Sequence, residues 1–421
     1  MVYVISISGR PLMPTAHCGK VKHLLKDGKA KVVHREPFTI QLLYETTEYT
    51  QATTLGVDTG SGTFGAAVVT DDSHKVLYIS EVEVRNDISK KMKQRSKYRR
   101  NRRYRKTRYR KARFDNRKSS IKNDRFSPTM QSKINAHERE IKFVKSILPV
   151  THLVLETGTF DMALMNNPAL ADPEIARWGY QKGPNYGFAN TKAMVRARDG
   201  YTCAICKGRH KNRQLDVHHI IFRNQGGSNE AENLITLCQT CHKKLHNGEI
   251  TYSGKGKKKG SLSFATQMNS IRKQLLARHP EAIETFGYIT SENCQLYGLP
   301  KAHCIDAAVI ASDVYKPIFA TQDVFYKRCI AKGTYQCTKG VRSEKSMPKT
   351  KIEGFKQFDK VKYQNGLYFI KGRMSSGYAV LSDIYGTKID FPHVPKLKEM
   401  QRIAARKSII CTTAKIDLKA S

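Results

Sequence analysis

The residues that could do chemistry are densest between positions 203 and 246. Cys203 and Cys206 form one Cys-x-x-Cys pair, and Cys238 and Cys241 form a second. Two such knuckles brought together supply four thiolates, the ligand set of a closed, tetrahedral structural zinc site. Between them lie Asp216-Val217-His218-His219, Gly226-Gly227 and Asn233-Leu234, and His242 follows the last cysteine. Four thiolates already complete a zinc shell, so these histidines are free for another task. A zinc finger with histidines scattered on its surface is the plainer alternative. The pairing of two histidines, the central Asn and the final His argue against it.

A second group of candidates is spread along the chain. Asp58 ends the apolar run Thr53–Val57 and precedes a Gly-rich turn, and two more strand-like runs follow before Val84. Glu156 ends Thr151-His152-Leu153-Val154-Leu155, which also reads as a strand. His303 and Asp306 lie three apart in Lys301–Ala311, so a helix there projects both from one face. Each signal alone is weak: Asp-Thr-Gly occurs in many turns, a Glu at a strand end is usually solvated, and His-x-x-Asp is common. Their interest lies in their order.

The elements that must position these groups can be read in outline. Cys18–Gly28 reads as a short helix, with strands at Lys31–Val33 and Phe38–Leu42. Ser127-Pro128 can start a helix whose apolar pattern runs from His137 to Leu148, where Pro149 stops it. Residues 166–200, rich in Pro, Gly and Asn, read as a connector, and the Gly/Lys run 254–260 as a flexible basic linker. After a helix in SFATQMNSIRKQLLARHP, the segment ETFGYITSENCQLYGLP reads as strand and turn. The last hundred residues carry short strands with turn signals at Asn365-Gly366, Ser375-Ser376-Gly377 and Tyr385-Gly386.

Charge narrows the partners. The formal net charge is +38 over 421 residues. Such a chain most often binds nucleic acid, because Lys and Arg displace counterions from phosphates. The charge concentrates at 85–125, where Arg95, Arg99, Arg100, Arg102, Arg103, Arg105, Arg108, Arg110 and Arg113 crowd together with Tyr98, Tyr104 and Tyr109 between them. No Pro or Gly interrupts this run, so on a phosphate backbone it could be a helix with guanidinium on every side. An anionic membrane is the rival partner, but no apolar run approaches a membrane span. The N-terminus reads as a strand, not a signal peptide. Six cysteines outside the knuckles (Cys18, Cys294, Cys304, Cys329, Cys337, Cys411) are scattered, as suits free thiols in a reducing cytoplasm.

The stretch 203–246 resembles an HNH nuclease, a ββα-metal fold. The resemblance implies that His219 is the general base for water, that His218 and His242 hold a divalent cation (Mg²⁺ or Mn²⁺) at the scissile phosphate, and that Asn233 fixes the loop orienting the base. The chemistry calls for such a set, since an anionic phosphodiester needs a cation to offset developing charge and an imidazole titrates in the useful range. Asp58, Glu156, His303 and Asp306 in turn resemble the metal site of an RNase H-like nuclease of the RuvC kind, where clustered carboxylates bind two Mg²⁺ ions.

The joint order resembles the IscB family, transposon-associated relatives of the single-effector CRISPR nucleases. It comprises an opening Pro-Leu-Met-Pro module, three strands, an Arg-rich helix, and an HNH stretch inserted between the Glu156 and His303 segments. The implied fold is α/β multidomain. A PLMP module (1–52) comes first, then an RNase H-like RuvC core split into segments 53–84, 126–165 and 262–324. A bridge helix (85–125), a linker (166–200), the HNH domain (201–248), a basic linker (249–261) and a β-rich C-terminal domain (325–421) complete it. The resemblance further implies a monomer bound one-to-one to a guide (omega) RNA in a bacterial or archaeal cytoplasm, near the nucleoid. It implies cleavage of double-stranded DNA beside a short adjacent motif, HNH cutting the guide-paired strand and RuvC the displaced one. Arg342, Arg373, Arg402 and Arg406 are candidates for reading that motif. A guide-independent, resolvase-like nuclease would use the same two sites without RNA. A nucleic-acid-binding protein without cleavage would have lost ligands, and none is lost here.

Overall fold

The computed structural model describes residues 1–104, 126–183, 185–208, 213–256, 262–319, 323–331, 351–416 and 418. Two compact units result: residues 1–159 with 267–421, and residues 160–266.

The chain opens with strands β1 (Val2–Ile5) and β2 (Pro11–Thr15), helix α1 (Cys18–Lys26), and strands β3 (Ala30–Arg35) and β4 (Phe38–Leu42), which form a small sheet in the order β2-β1-β4-β3. Strands β5 (Thr53–Asp58), β6 (Thr63–Thr70) and β7 (Val76–Glu83) follow as consecutive antiparallel neighbours. Next come helices α2 (Ile88–Tyr104) and α3 (Pro128–Ile147) and strand β8 (His152–Glu156). Ser127 caps α3, its side chain accepting from the Met130 amide, and Pro128 takes the first turn, where its missing N–H costs nothing.

The second unit holds helices α4 (Met162–Asn166), α5 (Pro173–Gly179) and α6 (Thr191–Arg198), strands β9 (Leu215–His219) and β10 (Leu234–Cys238), and helix α7 (Gln239–His246). The stretch 166–200, expected to be a connector, thus carries the short helices α5 and α6, and α4 ends where it begins. Two of these three are capped by aspartates and one by Asn190, an N-cap signal that the Pro and Gly content obscured.

The chain returns through helix α8 (Ser263–Arg278), strand β11 (Ile283–Thr285), and helices α9 (Gly287–Leu296) and α10 (His303–Ser312). The expected strand is present at its start, in β11, and helix α9 corrects the rest of that segment. Thr290 and Cys294, four apart, are the buried face of α9, and polar residues between them hid that period in the sequence. Strands β12 (Asp323–Cys329), β13 (Lys360–Tyr363), β14 (Gly366–Arg373), β15 (Ala379–Ser382), β16 (Gln401–Ala404) and β17 (Ile409–Lys415) complete the chain.

The central sheet has seven strands in the order β11-β8-β5-β6-β7-β12-β17. Strand β8 runs parallel to β5, β11 parallel to β8, and β12 parallel to β7. Both faces are covered. Along β6, Phe64, Ala66 and Val68 pack on one side with Ile134, Ile141 and Val144 of α3, while Ala67 and Val69 pack on the other with Cys304, Ala307, Ala308 and Ala311 of α10. Side chains alternate along a strand, so only a continuous apolar run can satisfy two covered faces. Strands β12 and β17 from the C-terminal region add to this sheet, while β13–β16 form a separate four-stranded one.

A buried ion pair ties α3 to the sheet. Lys327 Nζ lies 2.7 and 2.9 Å from the Glu140 carboxylate oxygens, and the Tyr78 and Ser80 hydroxyls donate to Glu140 Oε1. Among the described residues no helix is long and apolar enough to cross a membrane.

Candidate active sites

In the second unit, β9 and β10 pair antiparallel with His218 opposite Ile235 and Asp216 opposite Leu237, and α7 follows directly. The four cysteines close one end of this ββα motif. Their Sγ atoms lie within 4.8 Å of one another, all buried, with Cys206 and Cys238 3.7 Å apart. A tetrahedron with metal–sulfur bonds of about 2.3 Å has edges of about 3.8 Å, so the set fits zinc. Burial and the neighbouring thiols push the Cys238 and Cys241 thiols upward. A cation would relieve the cost of ionising them together.

The imidazoles occupy the other side of the motif. Nitrogens of His218, His242 and His246 lie within 4.8 Å of one another. His218 is buried, and burial, followed by the charges of His242, His246 and His219, lowers its pKa to about 4. It is therefore neutral, with its lone pair available to a cation. His242 Nδ1 lies 3.1 Å from Asp216 Oδ2, the carboxylate–histidine arrangement that fixes a ligand's orientation. His246 Nε2 lies 3.1 Å from His242 Nε2. His246 had no predicted role, although its position four residues after His242 on a helix was a legible signal. These residues line an open cleft of 590 Å³ with His219 and Arg223.

His219 stands apart from that cluster. Its Nε2 lies 3.0 Å from Asn229 Oδ1, which also accepts from Arg223 Nε at 3.0 Å. Arg223 Nε also lies 3.3 Å from His219 Nε2; in the tautomer that donates from Nε2 to Asn229, Nδ1 is the proton acceptor. Asn233 is fully buried; its Nδ2 donates to the Ile221 and Ser228 carbonyls at 3.0 and 2.9 Å and its Oδ1 accepts from the Ile221 amide at 2.9 Å. It pins both ends of the loop that leaves His219.

In the first unit the spread acids converge. Asp58 ends β5, Glu156 ends the adjacent parallel strand β8, and α10 lies across that face. The helix approaches so closely because β5 and β6 carry glycines beneath it. A Cβ on Gly56 would stand 2.3 Å from the Ala307 carbonyl oxygen, and one on Gly65 1.8 Å from that of His303. His303 Nδ1 consequently reaches Asp58 Oδ2 at 2.5 Å, and Asp58, His303 and Asp306 offer ligand atoms within 4.8 Å of one another. That bond to Asp58 raises the His303 pKa against the effect of burial. Glu156 is outside this trio but coupled to it: burial, then the charge of Asp58, raises its pKa to about 7. Crowded carboxylates of this kind are what a hard divalent cation neutralises.

Two cations already meet these acids. Lys301 Nζ lies 2.9 Å from Asp306 Oδ2. Arg272, buried on α8, donates to Glu156 Oε1 at 2.6 Å, to the Thr59 hydroxyl at 2.9 Å and to the Gly158 carbonyl. Sequence reasoning missed Arg272, and no local pattern distinguishes it from the other arginines.

Residues 2–183 match the model of the RRXRR protein family, and residues 203–248 match that of the HNH endonucleases. Together the matches span more than half of the chain. The two domains together fit an IscB-type protein. Arg99-Arg100-Asn101-Arg102-Arg103 spells the first family's description in its own sequence. The anaredoxin of Nostoc sp. (strain PCC 7120 / SAG 25.82 / UTEX 2576) is 36% identical over 70 residues, which are 17% of this chain and 88% of that protein. As an IscB-type chain with an HNH domain it is a nuclease, a DNA-cleaving hydrolase, of mixed α/β multidomain architecture.

The basic elements of this IscB-type chain are placed as follows. Arg95, Arg99 and Arg100 are exposed on α2, which also carries Arg102 and Arg103 in its backbone run. Arg105, Arg108, Arg110, Arg113 and Arg342 lie outside the described residues. Arg373 and Arg406 are half-buried and donate to the Phe355 and Ala331 carbonyls, so both guanidinium groups brace the C-terminal fold. Arg402 is exposed and donates to the Gly354 carbonyl at 3.0 Å.

Proposed function

We propose that this chain is an RNA-guided DNA endonuclease with two cleavage centres, one for each strand. The observation that carries the reading is the convergence of Asp58, His303 and Asp306, with Glu156 beside them, on one face of the seven-stranded sheet. This is a second acidic, cation-binding constellation in a chain that already has an HNH cleft. Three antiparallel strands followed by a parallel fourth, with α10 delivering the last ligands, is the arrangement of an RNase H-like core. On this reading 53–84, 126–165 and 262–324 are its RuvC segments. Residues 1–52 form the PLMP module, 85–125 the bridge helix and 201–248 the HNH domain, between linkers 166–200 and 249–261. Residues 325–421 hold RNA and meet the target-adjacent motif.

In the HNH cleft His218, His242 and His246 hold the divalent cation. His219 takes a proton from water at Nδ1, Asn229 and Asn233 keep that ring and its loop in place, and Arg223 lends positive charge to the cleft. Cys203, Cys206, Cys238 and Cys241 hold a structural zinc. In the second centre Asp58, Glu156, His303 and Asp306 hold Mg²⁺ or Mn²⁺, and Arg272 fixes Glu156. Bound divalent cations supply charge neutralisation at the phosphate and activation of water. All-imidazole donors favour Mn²⁺ over Mg²⁺ in the HNH cleft, whereas carboxylates suit either. HNH cuts the guide-paired strand and the RuvC centre the displaced one. Omega RNA lies along the arginines of α2 and beyond, neutralised by them.

The test is strand-specific nicking by the complex purified with its RNA. His219→Ala abolishes cutting of the guide-paired strand alone, and Asp58→Ala that of the displaced strand alone. Loss of both cuts from either change overturns the two-centre assignment. Cutting by RNA-free protein overturns guidance.

A further inference from the structure

Between Arg177 and Arg198 the chain carries Trp178, Tyr180, Tyr186 and Phe188, five Lys or Arg residues, and no acid. The four aromatics are exposed, Trp178 by 55% and Tyr186 by 63%. Trp178 and Tyr180 are held there by structure. Trp178 sits on α5, which packs on the turn 168–171; a Cβ on Gly179 would stand 2.3 Å from Leu170 Cδ2, so helix and turn are in close contact. The Tyr180 hydroxyl donates to Asp161 Oδ2 at 2.5 Å, and that aspartate also caps α4. Lys182 stands over two of the rings, its Nζ 4.9 Å from the Trp178 centroid and 5.5 Å from that of Tyr186. Arg177 lies 5.8 Å from the Trp178 ring.

Exposed rings interleaved with cations match one occupant by charge and shape: the unpaired bases of a single strand, stacked on the rings while its phosphates meet Arg177 and Lys182. Duplex DNA offers phosphates without free base faces, and Arg177 and Lys182 repel basic protein surfaces, the Asp161 carboxylate being engaged by the Tyr180 hydroxyl. We infer that this surface is a stacking platform for single-stranded DNA in the unit that carries the HNH centre. The inference rests on the DNA-cleaving identity of this unit, not on the guide RNA or the second centre. A binding measurement made without RNA or metal therefore lets the two fail separately.

Trp178 is the only tryptophan of the chain, so its emission reports on this surface alone. The full-length wild-type protein is titrated with a thymidine oligodeoxynucleotide, an abasic oligodeoxynucleotide of equal length, a duplex and a uridine oligoribonucleotide. The thymidine strand is expected to quench Trp178 emission by about half or more, as ring stacking does, and the abasic strand and duplex to leave it nearly unchanged. At a salt concentration that abolishes abasic binding, Trp178→Ala weakens binding of a labelled thymidine strand about tenfold, and Trp178→Phe restores most of it. Equal quenching by the abasic strand, or none by thymidine, overturns the platform. Stronger quenching by the uridine strand makes RNA the occupant and overturns the DNA assignment. Trp178 emission already shielded from iodide in the free protein means that protein covers the surface.

Discussion

Burial decides what each histidine of the HNH cleft can do. His218 is held neutral by its buried position and by the imidazoles facing it, which suits a cation ligand. His219, more open and bonded to Asn229, retains a nitrogen for the proton of water. Because His246 supplies one of three imidazoles, His246→Ala is expected to cut divalent-cation affinity at this cleft by about a hundredfold, and Asp216→Asn by about tenfold through loss of His242 orientation. Both effects are read as the Mn²⁺ concentration needed for half-maximal nicking by Asp58→Ala protein. A residual activity independent of both changes would exclude the imidazole cluster from the reaction. In the other centre the buried Arg272 fixes the largely buried Glu156 carboxylate. Arg272→Met is expected to slow cutting of the displaced strand about a hundredfold, as an ångström-scale misplacement does, with the guide-paired strand cut at the wild-type rate.

Helix α3 supports the acidic centre from below the sheet. His137 on that helix is fully buried and stacks on Phe64. Its Nδ1 faces the Lys133 carbonyl at 2.9 Å and its Nε2 faces the Gly60 amide at 3.4 Å, in the turn just after Asp58. Burial is the main cause that lowers its pKa from 6.5 to about 4. Between those values the unfolded chain binds the proton and the folded chain does not. Stability is thus fully present above pH 6.5 and falls as pH drops toward 4, by about 3 kcal/mol in all. Charged groups facing the ring are Asp58, which favours the proton, and Lys133, which opposes it. His137→Gln should flatten this part of the acid-unfolding curve; an unchanged slope would place the acid sensitivity elsewhere.

At the scale of the molecule, the two units have separate cores. One is built on the seven-stranded sheet, the other on the cysteine knuckles with Ile235 and Leu237. The small core of the second unit makes it the zinc-dependent one, since structural zinc commonly provides the folding free energy of such modules. Cys238→Ser, or strong chelation, should abolish the protease resistance of residues 160–266 and leave the sheet unit's thermal transition in place. One cooperative loss of both would mean that the units fold together.

The sequence alone carried what depends on local order. Ligand spacing in the two knuckles, the Asp58, Glu156 and His303–Asp306 segments, the cap at Ser127 and the arginine run are each set by neighbours in the chain, so type and spacing disclosed them. Helix α9 and the helices of 160–200 were lost because short, polar-flanked periods give little signal before packing selects a face. Only the tertiary structure decided the rest. It brought Asp58 to His303 across a sheet made passable by Gly56 and Gly65, and it set Arg272 on Glu156 across 116 residues of sequence. It also turned Arg373 and Arg406 inward as braces. Those outcomes depend on which surfaces meet at long range, and no local pattern of residues encodes that meeting.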